Sequence, residues 1–130
     1  MAIIHRCKGQ FDWEGVDLSR YPPGKEMKGV SVRWLIGRAE RAPNFALRYF
    51  EIEPGGWSSL DRHAHDHGVV ILKGRGQVLL AKNGTDCTSP LKLSFGDVLY
   101  IPPHEVHQFR NVGEEPLGFL CIIPAREERE

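Results

Sequence analysis

The sequence predicts an all-β protein, folded as one barrel or jelly roll. Fourteen glycines and nine prolines divide the 130 residues into short apolar runs, which is the spacing of strands separated by turns. The chain has no convincing long amphipathic helix. Strands at this density must close into a barrel or stack to protect their edges, and the length suits a single core.

Seven stretches have the composition of strands: residues 30–36, 45–52, 69–72, 77–81, 98–101, 108–110 and 117–123. In the second, Phe45, Leu47 and Tyr49 alternate with Ala46, Arg48 and Phe50, so the two sets lie on opposite faces.

Turn residues separate these strands. The predicted turns are Pro54-Gly55-Gly56, Lys73-Gly74-Arg75-Gly76, a type I′ hairpin at Asn83-Gly84 and Ser94-Phe95-Gly96-Asp97. Pro102-Pro103 ends the strand before it, because proline cannot donate to a β-ladder. We therefore expect an N-terminal segment over residues 1–40, a barrel over 41–124 and a charged tail over 125–130.

Composition excludes several classes of function. Seventeen basic and seventeen acidic residues cancel, so we expect no nucleic-acid partner and no membrane surface. Cys7, Cys87 and Cys121 are scattered and have no CxxC spacing, which argues against a disulfide framework. The first residues are too polar for a secretory signal. The prediction is a soluble cytoplasmic protein.

Three of the six histidines lie within Asp61-Arg62-His63-Ala64-His65-Asp66-His67, on alternate positions. Alternation directs strand side chains to one face, and imidazole is a common ligand of transition metals. His107 follows the predicted strand at 98–101 by a few residues. The pattern predicts a metal site inside the barrel.

These residues resemble the cupin superfamily of small jelly-roll barrels, over residues 29–124. The second cupin motif, G-x5-P-x-G-x2-H-x3-N, is matched at every interval by Gly96, Pro102, His107 and Asn111. His104 stands where the motif has its second glycine.

The first cupin motif, G-x5-H-x-H-x3,4-E-x6-G, can be placed in two frames. The gapless frame consists of Gly55, Asp61, His63, His67 and Gly74. The other frame takes His63 and His65 as the H-x-H pair, with His67 in place of the glutamate. Both keep His63, His67 and His107 as ligands, and the fourth is His65 or Asp61. We favour His65, since all-histidine cupin sites occur. Positions four apart on a straight strand are about 13 Å apart, so the chain must turn or bulge near residues 64–66.

The resemblance implies one divalent transition metal ion per chain (Mn, Fe, Ni, Cu or Zn), held by His63, His65, His67 and His107. It also implies a homodimer in which residues 1–40 pack on or exchange with a partner. A metal with open positions suits dioxygenase-like cleavage or Lewis-acid isomerisation of a small organic molecule. The alternatives are a cupin that binds or senses a small ligand without catalysis, and a barrel stiffened by structural zinc.

The sequence does not assign the catalytic residues. Glu105 and Tyr100 are candidates for proton transfer. Tyr100, Phe109, Trp57 and Arg48 are candidates to line a pocket, although such side chains on strands more often pack in the core.

Overall fold

The chain folds into a strongly curled antiparallel sheet, seen in a computed structural model that describes residues 1–81 and 90–125. Within these residues the strands are β1 (Cys7–Gly9), β2 (Asp12–Trp13), β3 (Leu18–Arg20), β4 (Lys28–Ile36), β5 (Phe45–Trp57), β6 (His67–Lys73), β7 (Gly76–Ala81), β8 (Leu91–Leu93), β9 (Val98–Ile101), β10 (Val106–Arg110) and β11 (Leu117–Pro124). A 3₁₀ turn, Arg38–Glu40, precedes β5. The predicted all-β jelly-roll class is confirmed.

The main sheet has the order β8-β7-β10-β5-β11-β6-β9, and β3 and β4 extend it alongside β5. The strands β1 and β2 form a separate antiparallel pair. Each of the seven predicted strands overlaps an observed one. The predicted hairpin at Asn83-Gly84 and residues 126–130 of the predicted tail lie outside the described residues.

The predicted turn at Pro54-Gly55-Gly56 is wrong in one respect, because β5 does not end there. The strand continues to Trp57 through a bulge. Before the bulge Ile52 pairs with Val30 of β4, and after it Trp57 pairs with Lys28. Gly55 has a φ of 80°, a left-handed conformation that glycine adopts without strain. The bulge bends β5, so along the edge away from β4 its residues 45–52 pair with β11 and Trp57 pairs with β10.

The bend brings the chain after β5 alongside β10. Asn111 N donates to Gly56 O at 3.0 Å, Ser58 N donates to Phe109 O at 2.8 Å, and Asp61 and His107 exchange two backbone hydrogen bonds of 2.9 Å. Residues 56–61 therefore run antiparallel to β10. This pairing places the histidine segment next to His107.

Both faces of β5 are covered. Ala46 is buried on the inner face, where Arg48 and Phe50 follow it. On the outer face Tyr49 is fully buried, because Phe11 stacks on its ring at 5.1 Å and Trp13 meets it edge-on at 5.5 Å. Residues of the N-terminal segment thus protect the barrel from outside.

Residues 1–40 also contribute β3 and β4 to the main sheet. Their predicted role in a homodimer stays a prediction. In the described part of the chain, no helix has the length and apolar character needed to cross a membrane.

Gly118 provides a test of the packing between β11 and β5. A Cβ atom at this position would collide with Tyr49 Oη and lie 2.8 Å from Tyr49 Cζ. Because Tyr49 is fixed between the sheet and Phe11, Gly118→Ala should lower the free energy of unfolding by about 1–3 kcal/mol. The measurement is urea unfolding followed by fluorescence.

Gly24→Ala is the matched control, since no atom lies within 4 Å of a Cβ built there. An equal loss in both variants would show that the Tyr49 contact does not determine the effect.

Candidate metal centre

Three histidines converge at one end of the barrel. His67 is the first residue of β6 and His107 lies in β10, while His63 lies in the segment between β5 and β6. Each offers one nitrogen, and these three atoms all lie within 4.8 Å of one another. The chain bends at residues 64–65, as the spacing required, and this brings His63 and His67 together.

Backbone contacts fix the position of His63 and the orientation of His107. His104 N donates to the carbonyl oxygen of His63 at 2.6 Å. Nδ1 of His107 lies 3.0 Å from the carbonyl oxygen of Glu105. A carbonyl only accepts, so Nδ1 carries the proton and Nε2 keeps a free lone pair. Orientation through the second ring nitrogen is typical of metal-binding histidines.

His67 supplies the observation that most directly indicates a ligand. Its Nε2 is buried and has no hydrogen-bond partner in the described structure, and its Nδ1 lies 3.3 Å from Cys121 Sγ. A buried polar atom without a partner is costly. A metal ion at the three histidines would satisfy this nitrogen, so the donor set fits a divalent transition metal.

Burial keeps two of the imidazoles, those of His63 and His67, neutral. Burial, reinforced by the neighbouring His107 and His65, lowers the pKa of His67 to about 3. Burial also lowers the pKa of His63, although the Asp61 carboxylate opposes the shift. Neutral imidazole is the form that binds metal, so both rings are in the binding form at neutral pH.

The fourth predicted ligand, His65, is placed beside this group rather than within it. Its ring stacks on His63 at a centroid distance of 4.7 Å and on His67 at 4.8 Å, and its Nδ1 lies 3.2 Å from Asp66 O. Its role as a ligand stays a prediction. Asp61, the alternative, has Oδ2 at 3.9 Å from His63 Nε2 and at 2.7 Å from Ser59 Oγ.

A cavity of about 220 Å³ opens beside the three histidines. Apolar side chains from four strands, and Met27 just before β4, form much of its wall: Met27, Val30, Phe50, Phe109 and Phe119. Its polar lining consists of Tyr21, Arg48, Ser58, Ser59, Asp61, Cys121 and the three histidines. Burial raises the pKa of Tyr21, so its phenol is protonated at neutral pH. The arrangement can hold a small molecule in contact with a metal.

Of the candidates for the pocket wall, Arg48 and Phe109 line this cavity, whereas Trp57 and Tyr100 do not. Tyr100 is 66% exposed and donates to Asp66 Oδ2 at 2.8 Å. Glu105 does not line the cavity either. Sequence reasoning missed Tyr21 and Met27, because no local pattern indicates that the N-terminal segment reaches the barrel interior.

His104, which stands in place of a motif glycine, is exposed and has a φ of 69°. This left-handed conformation explains why glycine suits the position. Histidine tolerates it more readily than most side chains. The turn geometry of the motif is therefore kept although its residue is not.

The family follows from a match between residues 48–123 and the Cupin_2 (Cupin domain) family. The chain belongs to this family. The cupin is 38% identical over 122 residues to the 1-methylthio-D-xylulose 5-phosphate methylsulfurylase of Rhodospirillum rubrum. The aligned residues cover 94% of this chain and 74% of that protein. It is also 41% identical over 56 residues to the glucose-6-phosphate isomerase of Pyrococcus furiosus, a shorter match that covers 43% of this chain and 29% of that protein.

The fold of this cupin also resembles solved structures. A cupin 2 conserved barrel domain protein from Rhodopseudomonas palustris superposes with a TM-score of 0.80 at 34% identity, over 95% of this chain and 81% of that one. The predicted resemblance to small bacterial cupins is confirmed.

The low pKa of His67 predicts acid sensitivity of the metal-free cupin. An unfolded histidine takes up a proton below about pH 6.5, whereas folded His67 does so only near pH 3. Above about pH 6.5, His67 therefore does not lower the free energy of unfolding. Below that pH the free energy of unfolding falls as the pH drops towards about 3, and His67 contributes a slope of up to about 1.4 kcal/mol per pH unit. Urea unfolding across this range measures it.

His67→Gln should flatten that slope. His104→Asn, at an exposed histidine with a left-handed backbone, should leave it unchanged. A slope that stays the same in His67→Gln would contradict the assignment of acid sensitivity to this ring.

Proposed function

We propose that this cupin is a metal-dependent enzyme that acts on a small phosphorylated, sugar-like molecule. The observation that supports the proposal is the convergence of three histidine nitrogens on a cavity of about 220 Å³. When bound, a divalent ion supplies Lewis acidity, which polarises substrate oxygens.

The residues of the chain have distinct parts in this proposal. His63, His67 and His107 hold the ion as neutral ligands, so none of its charge is cancelled by these three. Phe50, Phe109 and the rest of the apolar wall exclude water from the substrate, which strengthens electrostatic contacts there.

Two titratable groups on the cavity wall are available for proton transfer. Tyr21, protonated at neutral pH because burial raises its pKa, can donate a hydrogen bond to a substrate oxygen. The Asp61 carboxylate, which accepts from Ser59 Oγ at 2.7 Å, is the acceptor. A donor and an acceptor on one cavity wall suit proton transfer between neighbouring carbon or oxygen atoms of the substrate.

The relatives favour Lewis-acid chemistry over dioxygenase-like cleavage. The two enzymes reported above are named for a phosphorylated ketose derivative and for glucose 6-phosphate. Similarity over 94% of the chain to the first supports a substrate of that chemical class. The cavity beside the histidines weighs against structural zinc, which would need no open space at the metal.

The first experiment is elemental analysis of the protein purified without added metal or an affinity tag. We expect about one divalent transition metal ion per chain. His67→Ala and His107→Ala should each lower the metal affinity at least tenfold while the circular dichroism of the barrel is kept. His5→Ala is the control, since His5 pairs with Glu40 at 2.8 Å outside the site. His65→Ala tests the fourth ligand. Full metal content in His67→Ala and His107→Ala would refute the metal centre.

The second experiment separates the functions. The metal-loaded cupin is incubated in D₂O with phosphorylated ketoses, including 1-methylthio-D-xylulose 5-phosphate, and followed by NMR. We expect metal-dependent deuterium incorporation without oxygen consumption, because the proposal needs proton transfer alone. Oxygen uptake would instead support the dioxygenase-like alternative. Binding of the ketoses without any turnover would support a cupin that binds or senses its ligand.

A further inference from the structure

Arg48 is a cation on the wall of the cavity. It lies in β5, on the inner face with Phe50, and directly opposite Trp34 of β4 in the sheet register. Its Nη2 donates to Cys121 Sγ at 3.1 Å, and the same sulfur lies 3.3 Å from Nδ1 of the ligand candidate His67. One thiol therefore connects the guanidinium to the metal centre.

The guanidinium is held rigidly by aromatic rings. Its Cζ lies 5.3 Å from the ring centre of Trp34 and 4.7 Å from that of Phe50. Cation–π contacts of this kind orient an arginine without neutralising its charge. The side chain is thus fixed in place before any ligand arrives, which lowers the entropic cost of binding.

No carboxylate within the described residues forms an ion pair with Arg48. Asp61, the acidic group in the same cavity, instead accepts from Ser59 and lies beside His63. Arg48 Nε is buried and makes no hydrogen bond there. A half-buried cation with an unused donor, on an apolar wall, is ready to pair with an anion.

We infer that Arg48 binds the anionic group, a phosphate monoester or a carboxylate, of the small molecule held at the metal centre. The inference rests on the proposed function, since it concerns the substrate of the same site. The planar guanidinium suits both anions, because each presents two oxygens to its parallel donors. Its connection to His67 through Cys121 places the anion near the metal, so the substrate carries its charge close to the oxygens that react.

The test measures anion binding by the metal-free protein, so that it does not depend on metal loading. Inorganic phosphate, acetate and neutral glycerol are titrated by isothermal calorimetry. Arg48→Met should weaken binding of the preferred anion at least tenfold, and Arg48→Lys should weaken it less, because lysine keeps the charge without the planar donors. Arg20→Gln, at an exposed arginine 3.8 Å from Glu53, is the matched control and should bind as before.

A second measurement remains available if Arg48→Met fails to fold. In a chain carrying Trp13→Phe and Trp57→Phe, Trp34 is the remaining tryptophan. Because Trp34 stacks on Arg48, saturating phosphate or acetate should shift its fluorescence, and glycerol should not. Preference for phosphate identifies a phosphate monoester and supports the phosphorylated substrate of the proposed function. Preference for acetate identifies a carboxylate and contradicts that part of the proposed function.

The outcomes separate the two proposals. The Arg48 inference is overturned if the protein loads metal normally and anion binding survives Arg48→Met. It is also overturned if Trp34 responds to neither anion. In both cases the proposed function stands. A protein that loads no metal but binds anion through Arg48 refutes the metal-dependent function and supports the anion site.

Discussion

The candidate metal centre depends on the pairing of residues 56–61 with β10. The bulge at Gly55 bends β5 across the barrel, and the backbone hydrogen bonds between Asp61 and His107 end the pairing next to the site. His63 follows two residues later, and its carbonyl is held by His104. Backbone geometry alone therefore brings His63 and His107 together, before any metal contributes. A site preorganised in this way loses little conformational entropy on binding.

The contacts around Cys121 connect the ligands to the rest of the cavity. Its sulfur contacts both His67 and Arg48, and burial raises the pKa of this thiol. The thiol therefore stays neutral between a neutral imidazole and a cation. A thiolate here would pair with Arg48 and cancel its charge. Because the sulfur stays protonated, the positive charge of Arg48 remains available in the cavity.

The sequence predicts those parts of the site that depend on local chain geometry. Gly96, Pro102, His107 and Asn111 lie in one short stretch, so their match to the cupin motif predicts the strand and a candidate ligand. Asn111 illustrates why, since its side chain donates to Ile52 O and to Glu115 O, both at 2.8 Å, and so fixes the chain after β10. Tyr21 and Met27 could not be predicted, because their position depends on the pairing of β4 with β5, between residues far apart in sequence.

The choice between His65 and Asp61 shows a different limit. Alternation makes His63, His65 and His67 equivalent if the segment is a strand, but the structure bends at residues 64–65. At a bend the period of two no longer determines direction, so spacing cannot rank the candidates. Only the three-dimensional path of the backbone distinguishes the rings that face His107 from one that stacks beside them.

The neutral ligands have a consequence for the kind of molecule that the cavity accepts. A cupin motif with glutamate at the position of His67 contributes a negative charge to the metal, whereas three imidazoles contribute none. With a divalent ion bound, the ion and Arg48 outweigh Asp61, the one carboxylate among the described residues of the wall. The cavity then carries a net positive charge within apolar surroundings, where electrostatic interactions are stronger than in water. An anionic molecule gains from that field, while a neutral one of the same size gains only from the apolar wall and the metal. Histidine in place of the glutamate and an Arg48 without a carboxylate partner among the described residues therefore both favour anionic ligands.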